Sequence, residues 1–442
     1  MIGDDQIDGE TSLAKPAAPT IQHCFIGLGN NPRLVRDALS HFGFQELAKG
    51  MQFSDKYRFK WTQTSSEVNY MKFREGEHIV NHISNARIFT TKITTLEILE
   101  QLKIALENGE VPSALRLKDF FPETYRLDVA ADLVNFLNSK TGGCWLQKKA
   151  CSNQGKGIRL VGDVKAYKEE IMTINKQEED STQMLVEKLE KMGIENEGGA
   201  GASTTSSANK WKDMNMLAKE LREIVVQKYC ENPLLVDGRK FDIRAYMLIV
   251  CMKPYLVLYH PGYVRLSLNP YTSTSFTDKM THLTNNSVQK NHPDYKSLKE
   301  KSIISIEALV KDLVERGLVQ SADEYHSRVD NKIQEIMRLV FVTIKDKLDR
   351  KFGCFELYGF DFLIDENLNP FLIEANTNPA LYTDTQVQKE LLPPLVEDVV
   401  QMAVEAHGFG KVEGSEEVRR VAEKVAQRET RLRYEVIYYE NA

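Results

Sequence analysis

No stretch of this chain approaches the roughly 20 consecutive apolar residues of a membrane span, and the polar start MIGDDQIDGETSLAKPAAPT has no apolar signal core. Both absences read as a soluble, intracellular chain with a frayed, disordered segment at 1–22. Cysteine is sparse: the six residues at 24, 144, 151, 230, 251 and 354 form no CxxC pair and no metal-ligand spacing, which excludes a disulfide framework and a sulfur-ligated zinc site. No HExxH, Ser/His/Asp set or Cys-nucleophile motif is present, so the common hydrolytic chemistries drop out. Charge imbalance is also missing. A net charge of -6 calls for neither nucleic acid nor an anionic membrane. The glycine-rich phosphate motifs are incomplete: GLGNN (27–31) lacks the rest of GxGxxG and reads as a structural turn, and SNQGKGI (152–158) lacks the first Gly and the final Ser or Thr of a Walker A loop.

What is there is ordinary globular material, 442 residues with 42% hydrophobic and 27% charged content, enough for roughly two to four domains. Strand, helix and turn signals over 23–62 indicate an N-terminal α/β domain, 23–110, that includes a Thr-started, Gly-stopped helix at 94–109. A second α/β region, 111–225, is interrupted at 175–210, where ENEGGAGASTTSSANK has the composition of a flexible insertion. From 226 to 410 the chain is strand-rich, with helices expected near 296–318, 329–350 and 385–405 and a hairpin over 357–374. The remainder, 411–442, pairs a charged helix with the alternating strand LRYEVIYY.

The hairpin carries the first chemical signal. In LYGFDFLIDENLNPFLIEANTNPAL (357–381), apolar strands hold Asp361, Glu374 and Asn376. Strand alternation puts Glu374 and Asn376 on one face, and a turn within DENLN brings Asp361 opposite or diagonal to Glu374. Three oxygen donors aimed at one point suit a hard divalent cation shared with phosphates and water. The competing reading is that Asp361 caps a turn and Glu374 pairs with an Arg. Lys148 ends an apolar strand before the small-residue turn SNQGKGI, which suits a cover over phosphates or is a plain β-turn with a surface Lys. In VDGRKFDIRAYML (236–248), Lys240, Asp242 and Arg244 share one strand face, either a site or the solvent face of an antiparallel sheet. Arg265 and the HLTNN segment (282–286) add polar groups at strand and loop ends. Together the clusters describe an ATP site with magnesium held by acids and an amide, suited to phosphoryl or acyl-phosphate chemistry.

In order and spacing, FFPETYRL, WLQKKACSNQGKGI, VVQKYCENPLLVDGRKFDIRAYML, GYVRLSL, HLTNNSVQK and GFDFLIDENLNPFLIEANTNPAL resemble the tubulin tyrosine ligase-like enzymes, an ATP-grasp family of amino-acid ligases, over about 23–410. CSNQGKGI, ENPLLVDGRKFD and EANTNPALYT look most like the branch of protein polyglycylases that elongate glycine side chains. The resemblance implies an α/β (α+β) ATP-grasp fold behind a small Rossmann-like N-terminal domain. It implies that Lys92 and Lys148 contact phosphates, that Gln154 and Gly155 lie in the loop over ATP, and that Gln227, Lys228, Tyr229 and Cys230 line the adenine pocket. Lys240, Asp242 and Arg244 would face ribose and phosphates, Thr284 and Asn285 the γ-phosphate, and Asp361, Glu374 and Asn376 the magnesium ion.

The implied reaction joins a carboxylate of a protein substrate, activated as an acyl phosphate, to the amino group of an incoming amino acid. Arg244 and Arg265 are the residues expected to stabilise the acyl phosphate and the tetrahedral oxyanion; Lys389 is the candidate cation for the incoming carboxylate. Expected partners are tubulin or other acidic protein tails and free glycine, or glutamate in a polyglutamylase of the same family. A nucleotide-binding scaffold without activity is the third reading. Neither nucleic acid nor membrane is expected, and the setting is a monomer in the cytoplasm and cytoskeleton, extending to the cilium or axoneme. The sequence departs from the family pattern at Lys149, where Pro is usual, in the insertion at 175–210, and in having no strongly basic C-terminal extension.

Overall fold

The computed structural model describes residues 22–150, 155, 157–176, 223–408 and 413–440. All but residue 22 of the expected disordered start and all but the first two residues of the expected insertion lie outside these; residues 175 and 176 are helical, as are 164–174. The fold is a mixture of helices and strands, as expected, and the described strands form three sheets.

The first sheet is parallel, with β1 (His23–Ile26), β2 (Gln45–Glu46), β3 (Phe59–Trp61) and β4 (Ile79–Val80) in the order β2-β1-β3-β4. Helix α1 (Pro32–Ser40) crosses between β1 and β2, and its Val35, Ala38 and Leu39 are buried at helical spacing. Helix α2 (Lys92–Glu107) follows, started by the Thr91 side chain, which accepts from the Thr94 amide. The second sheet is antiparallel, with β5 (Thr124–Arg126), β6 (Trp145–Lys149), β7 (Arg159–Val161) and β8 (Ile224–Lys228) in the order β5-β8-β6-β7. It packs on α3 (Ala130–Asn138) through Trp145, Phe136 and Leu133.

The third sheet holds β9 (Leu235–Val236), β10 (Arg239–Met252), β11 (Tyr255–Leu266), β12 (Ile303–Ser305), β13 (Glu356–Ile364), β14 (Pro370–Asn376) and β15 (Glu435–Tyr439). Its main path is β12-β11-β10-β13-β14. The turn Asp237–Gly238, both residues at positive φ, reverses β9 into β10. Both faces of this sheet are covered, which is why β10, β11 and β13 read as long apolar runs. Phe241, Ile243, Ala245 and Met247 point into a core shared with α2, α4 (Ile306–Glu315) and α5 (Asn331–Ile344). Tyr246, Leu248 and Val250 point the other way, toward α6 (Gln386–Ala406), α7 (Ser415–Ala426) and the first sheet.

The helix expected over 296–318 is corrected. It is broken by β12, because the β-branched pair Ile303–Ile304 lies along the edge of β11, and Ser305 then caps α4 by accepting from the Ala308 amide. Cys24, Cys144, Cys230, Cys251 and Cys354 are free thiols. Among the described residues no helix is long and apolar enough to cross a membrane.

Candidate active site

The second face of the large sheet is apolar under α6 and polar at its other end. Register places Asp242 opposite Arg265 and Arg244 opposite Asp361, with Asp361 in turn opposite Glu374 and Gly359 opposite Asn376. Lys240, Asp242, Arg244, Arg265 and Asp361 are each at most 9% exposed, so this stripe is not a solvent face. Buried charges at that density must pair. Arg244 donates through Nε to Asp361 Oδ1 at 2.6 Å and through Nη2 to Oδ2 at 3.2 Å. Arg265 donates to both oxygens of Asp242, at 2.6 and 2.8 Å, and its Nη2 lies 2.7 Å from Asp361 Oδ2. Thr284 Oγ1 also donates to Asp242. Burial opposes ionisation of Asp361, but Arg244 and Arg265 outweigh it and hold the carboxyl below its usual range.

Two alternating Asp and two Arg leave Glu374 as the surplus acid. It is partly exposed and accepts from Asn376 Nδ2 at 3.4 Å. Burial, reinforced by Asp361, raises its pKa, with Arg265, Lys148 and Arg244 opposing. The turn-capping task that composition allowed for Asp361 falls to Asp365, whose Oδ1 accepts from the amides of Asn367 and Asn369.

Lys148 and Lys240 reach the cluster from different sheets, and each is held by a directed chain of hydrogen bonds. Lys148 Nζ donates to Gln227 Oε1 at 2.6 Å, and Gln227 Nε2 donates to Thr124 Oγ1 at 2.9 Å. Lys240 Nζ donates to the Tyr229 hydroxyl at 2.9 Å. That hydroxyl lies 2.9 Å from His282 Nδ1, whose Nε2 faces the Ser275 carbonyl at 2.8 Å. The carbonyl requires the proton on Nε2, so Nδ1 accepts from Tyr229. Burial pushes both lysines down to about 8; Glu374 opposes for Lys148, and Cys230 and Asp242 for Lys240. An anion beside them would restore their charge.

The remaining expected residues divide. Lys92 opens α2 close enough to Lys148 to lower its pKa. Gly155 brings the β6–β7 connection against Asn285 and Val288: a Cβ there would lie 3.4 Å from Asn285 Oδ1 and 2.8 Å from Val288 Cγ2. Cys230 is half-buried behind Lys240, and burial pushes its thiol up to about 11. Lys228 points away, bonding the Gly142 carbonyl, with its ammonium 5.7 Å from the centre of the Trp145 ring. Lys389 is exposed on the first turn of α6, outside the buried set. Gln154 lies outside the described residues. Sequence reading did not single out His282, although it stands in the quoted HLTNN, nor Tyr263, which lies opposite Arg244. It also missed Gly359, where a Cβ would come within 2.8 Å of Pro379 Cβ and 3.2 Å of Arg244 Cδ, so that only Gly admits both.

Among the described residues no three His, Cys, Asp or Glu side chains gather at one point. The donor set is therefore two carboxylates and an amide, and Asp361 already accepts three contacts from arginines. That fits magnesium, which takes few protein ligands and completes its shell with phosphate oxygens and water; it does not fit a cage made wholly of protein.

The Tubulin-tyrosine ligase family profile matches residues 71–409. The chain is 34% identical over 391 residues to the Rattus norvegicus protein named Protein polyglycylase TTLL10, covering 86% of this chain and 53% of that protein. It is 33% identical over 419 residues to the Homo sapiens protein named Inactive polyglycylase TTLL10, covering 86% and 57%. Against the Mus musculus protein named Probable tubulin polyglutamylase TTLL9 the figures are 32% over 356 residues, 79% and 73%. The chain thus spans about half the length of its TTLL10 relatives.

Proposed function

We propose that this chain, which belongs to the tubulin-tyrosine ligase family, is an ATP- and magnesium-dependent protein polyglycylase acting on glutamate-rich tails of tubulin or other acidic proteins. The observation that carries a ligase reading is the buried Asp242–Arg265–Asp361–Arg244 ladder with Glu374 left over beside it. The relatives named polyglycylase support glycine as the co-substrate.

ATP with magnesium, when bound, supplies the phosphoryl group that activates the acceptor carboxylate. Asp361, Glu374 and Asn376 would hold the metal, and Lys92, Lys148 and Lys240 would hold the phosphates, with Tyr229 and Cys230 beside the base. Thr284, bonded to Asp242, and Asn285, against Gly155, would face the γ-phosphate. Arg244 and Arg265 stay protonated in a dry setting, so they stabilise negative charge on the acyl group without reorganising. The work is cytoskeletal in this reading, which the relative named Probable tubulin polyglutamylase TTLL9 supports.

Incubation with ATP, magnesium, equimolar glycine and glutamate, and tubulin bearing short glycine chains, followed by mass spectrometry of the tails, tests this. Glycine-residue increments are expected. Glutamate increments would move the chain to the polyglutamylase reading, which the TTLL9 likeness favours. ATP binding without transfer would place it with the relative named inactive.

A further inference from the structure

We propose that the Asn30–Asn31 turn following β1 is a positioning element of the ligase site: it sets the 377–381 loop beside Arg244, and through it the choice of incoming amino acid. The inference rests on the ligase reading above.

The two asparagines are committed to one short loop some 350 residues away in sequence. Asn30, 6% exposed, donates through Nδ2 to Asn378 Oδ1 at 2.5 Å and to the Pro379 carbonyl at 2.8 Å, and its Oδ1 accepts from the Leu381 amide at 2.7 Å. Asn31 occupies the N-cap of α1 yet makes no side-chain cap; its Nδ2 donates to the Leu381 carbonyl at 3.1 Å instead. An Asn in that position ordinarily accepts from the first helical turn, so its side chain has been diverted from the helix to the loop. Gly29, Asn30 and Asn31 have φ of 91, 46 and 58°, three successive left-handed residues of which two are not glycine. Such backbone persists where surrounding contacts over-determine it, and it clusters at ligand clamps.

The far side of the loop touches the charged ladder. Pro379 packs against Gly359 beside the Arg244 side chain, and Leu381 anchors the loop in the core under α6. Pro379 and the Arg244 side chain thus both lie against Gly359, so a shift of the loop changes the surface on which Arg244 rests. The loop also lies at the correct end of the row. Lys240, tied to Tyr229, and Arg244 are four residues apart on β10, about 13 Å at strand rise. The loop flanks the Arg244 end, where acyl group and amine would meet, and not the Tyr229 end assigned to the base.

Asn30→Gly and Asn31→Gly remove the side chains while keeping positive φ accessible. Three readouts apply: ligation to tubulin with glycine or glutamate varied at saturating ATP, KM for ATP, and hydrogen–deuterium exchange of the 377–383 segment. Asn30→Gly is expected to raise the amino-acid KM at least tenfold and to change the glycine-to-glutamate ratio. ATP KM should stay within twofold and exchange should quicken; Asn31→Gly should do the same to a smaller extent. Unchanged exchange overturns the proposal, as does faster exchange with an unchanged amino-acid KM. Parallel loss of both affinities with lowered stability reduces the contact to a structural strap and also overturns it. A parent that ligates neither amino acid overturns the ligase reading and this role with it, whereas an active parent with a parent-like Asn30→Gly variant removes this inference alone.

Discussion

Glu356 and Glu374 belong to the two strands of one hairpin, and their surroundings are opposite. Glu356 is fully buried; its Oε1 lies 2.8 Å from His82 Nδ1, and its Oε2 accepts from the Ile83 amide at 2.8 Å. His82 Nε2 faces the Thr62 carbonyl at 3.0 Å. A carboxylate at Nδ1 and the Thr62 carbonyl at Nε2 favour the imidazolium, with Asn81 Nδ2 also 3.4 Å from Nε2. Burial works against that charge, but Glu356 outweighs it and the pKa of His82 is raised. The acid is closed off, and it joins the first sheet to the third. Glu374 is partly exposed, its facing residue is another carboxylate, and no Arg donates to it among the described hydrogen bonds. One acid has its partners within the chain; the other accepts only from Asn376 among the described hydrogen bonds.

The sharpest way to break this contrast is His82→Gln. It leaves Glu356 buried without its cation, and the expected loss is about 3–5 kcal/mol in urea unfolding at neutral pH, with ligation per folded molecule retained. The pH dependence has a definite sign. A histidine whose folded pKa lies above its ordinary 6.5 adds stability that is complete below that value and lost as pH rises through the folded one. The parent should therefore weaken from neutral toward alkaline pH, and the variant should show a flatter curve there. A loss of ligation with stability intact would move His82 from the structural side to the chemical one.

Second in size is Asp361→Asn. The side-chain shape is kept, but the charge that Arg244 and Arg265 share is gone, so rates are compared per folded molecule. Initial rates of ligation should fall by roughly 10²–10³-fold, the range seen when one charge-stabilising group is removed from a dry site. Parent-like rates would mean that the ladder is structural, as the Glu356 pair is.

The hairpin was legible in part because strand alternation is short-ranged: it puts Glu374 and Asn376 on one face, while an irregularity between Asp361 and Phe362, which a period of two does not anticipate, brings Asp361 opposite Glu374. The same rule left Lys240, Asp242 and Arg244 ambiguous between site and solvent, since periodicity gives a face and not what covers it. Burial decides that, and it depends on helices contributed from far along the chain. Composition allowed Asp361 to cap the turn, and the fold gives that task to Asp365. The GLGNN turn was read as structural on its incomplete glycine pattern. Its hydrogen-bond partners at 378–381 leave no mark on the local sequence. His82 and Glu356, 274 residues apart, are invisible for the same reason. The mixed α+β class needed only element-by-element patterns, which explains why it survived the splitting of one helix by β12.

The smallest effect is the most diagnostic, because it is a gain. Glu374 has a folded pKa raised above its ordinary 4.5 by burial and by Asp361. For an acid that shift means the cost of ionising in the folded state is absent at low pH and grows as pH rises through the folded value. Glu374→Gln removes that cost, so without magnesium the variant should match the parent in acid and exceed it by about 1 kcal/mol at pH near 8, the usual scale of trade between stability and function. Added magnesium with ATP should raise the melting temperature of the parent more than that of the variant, while ligation by the variant falls sharply. A variant that loses stability at every pH would show that Glu374 is as fully partnered as Glu356, and the difference between the two acids would disappear.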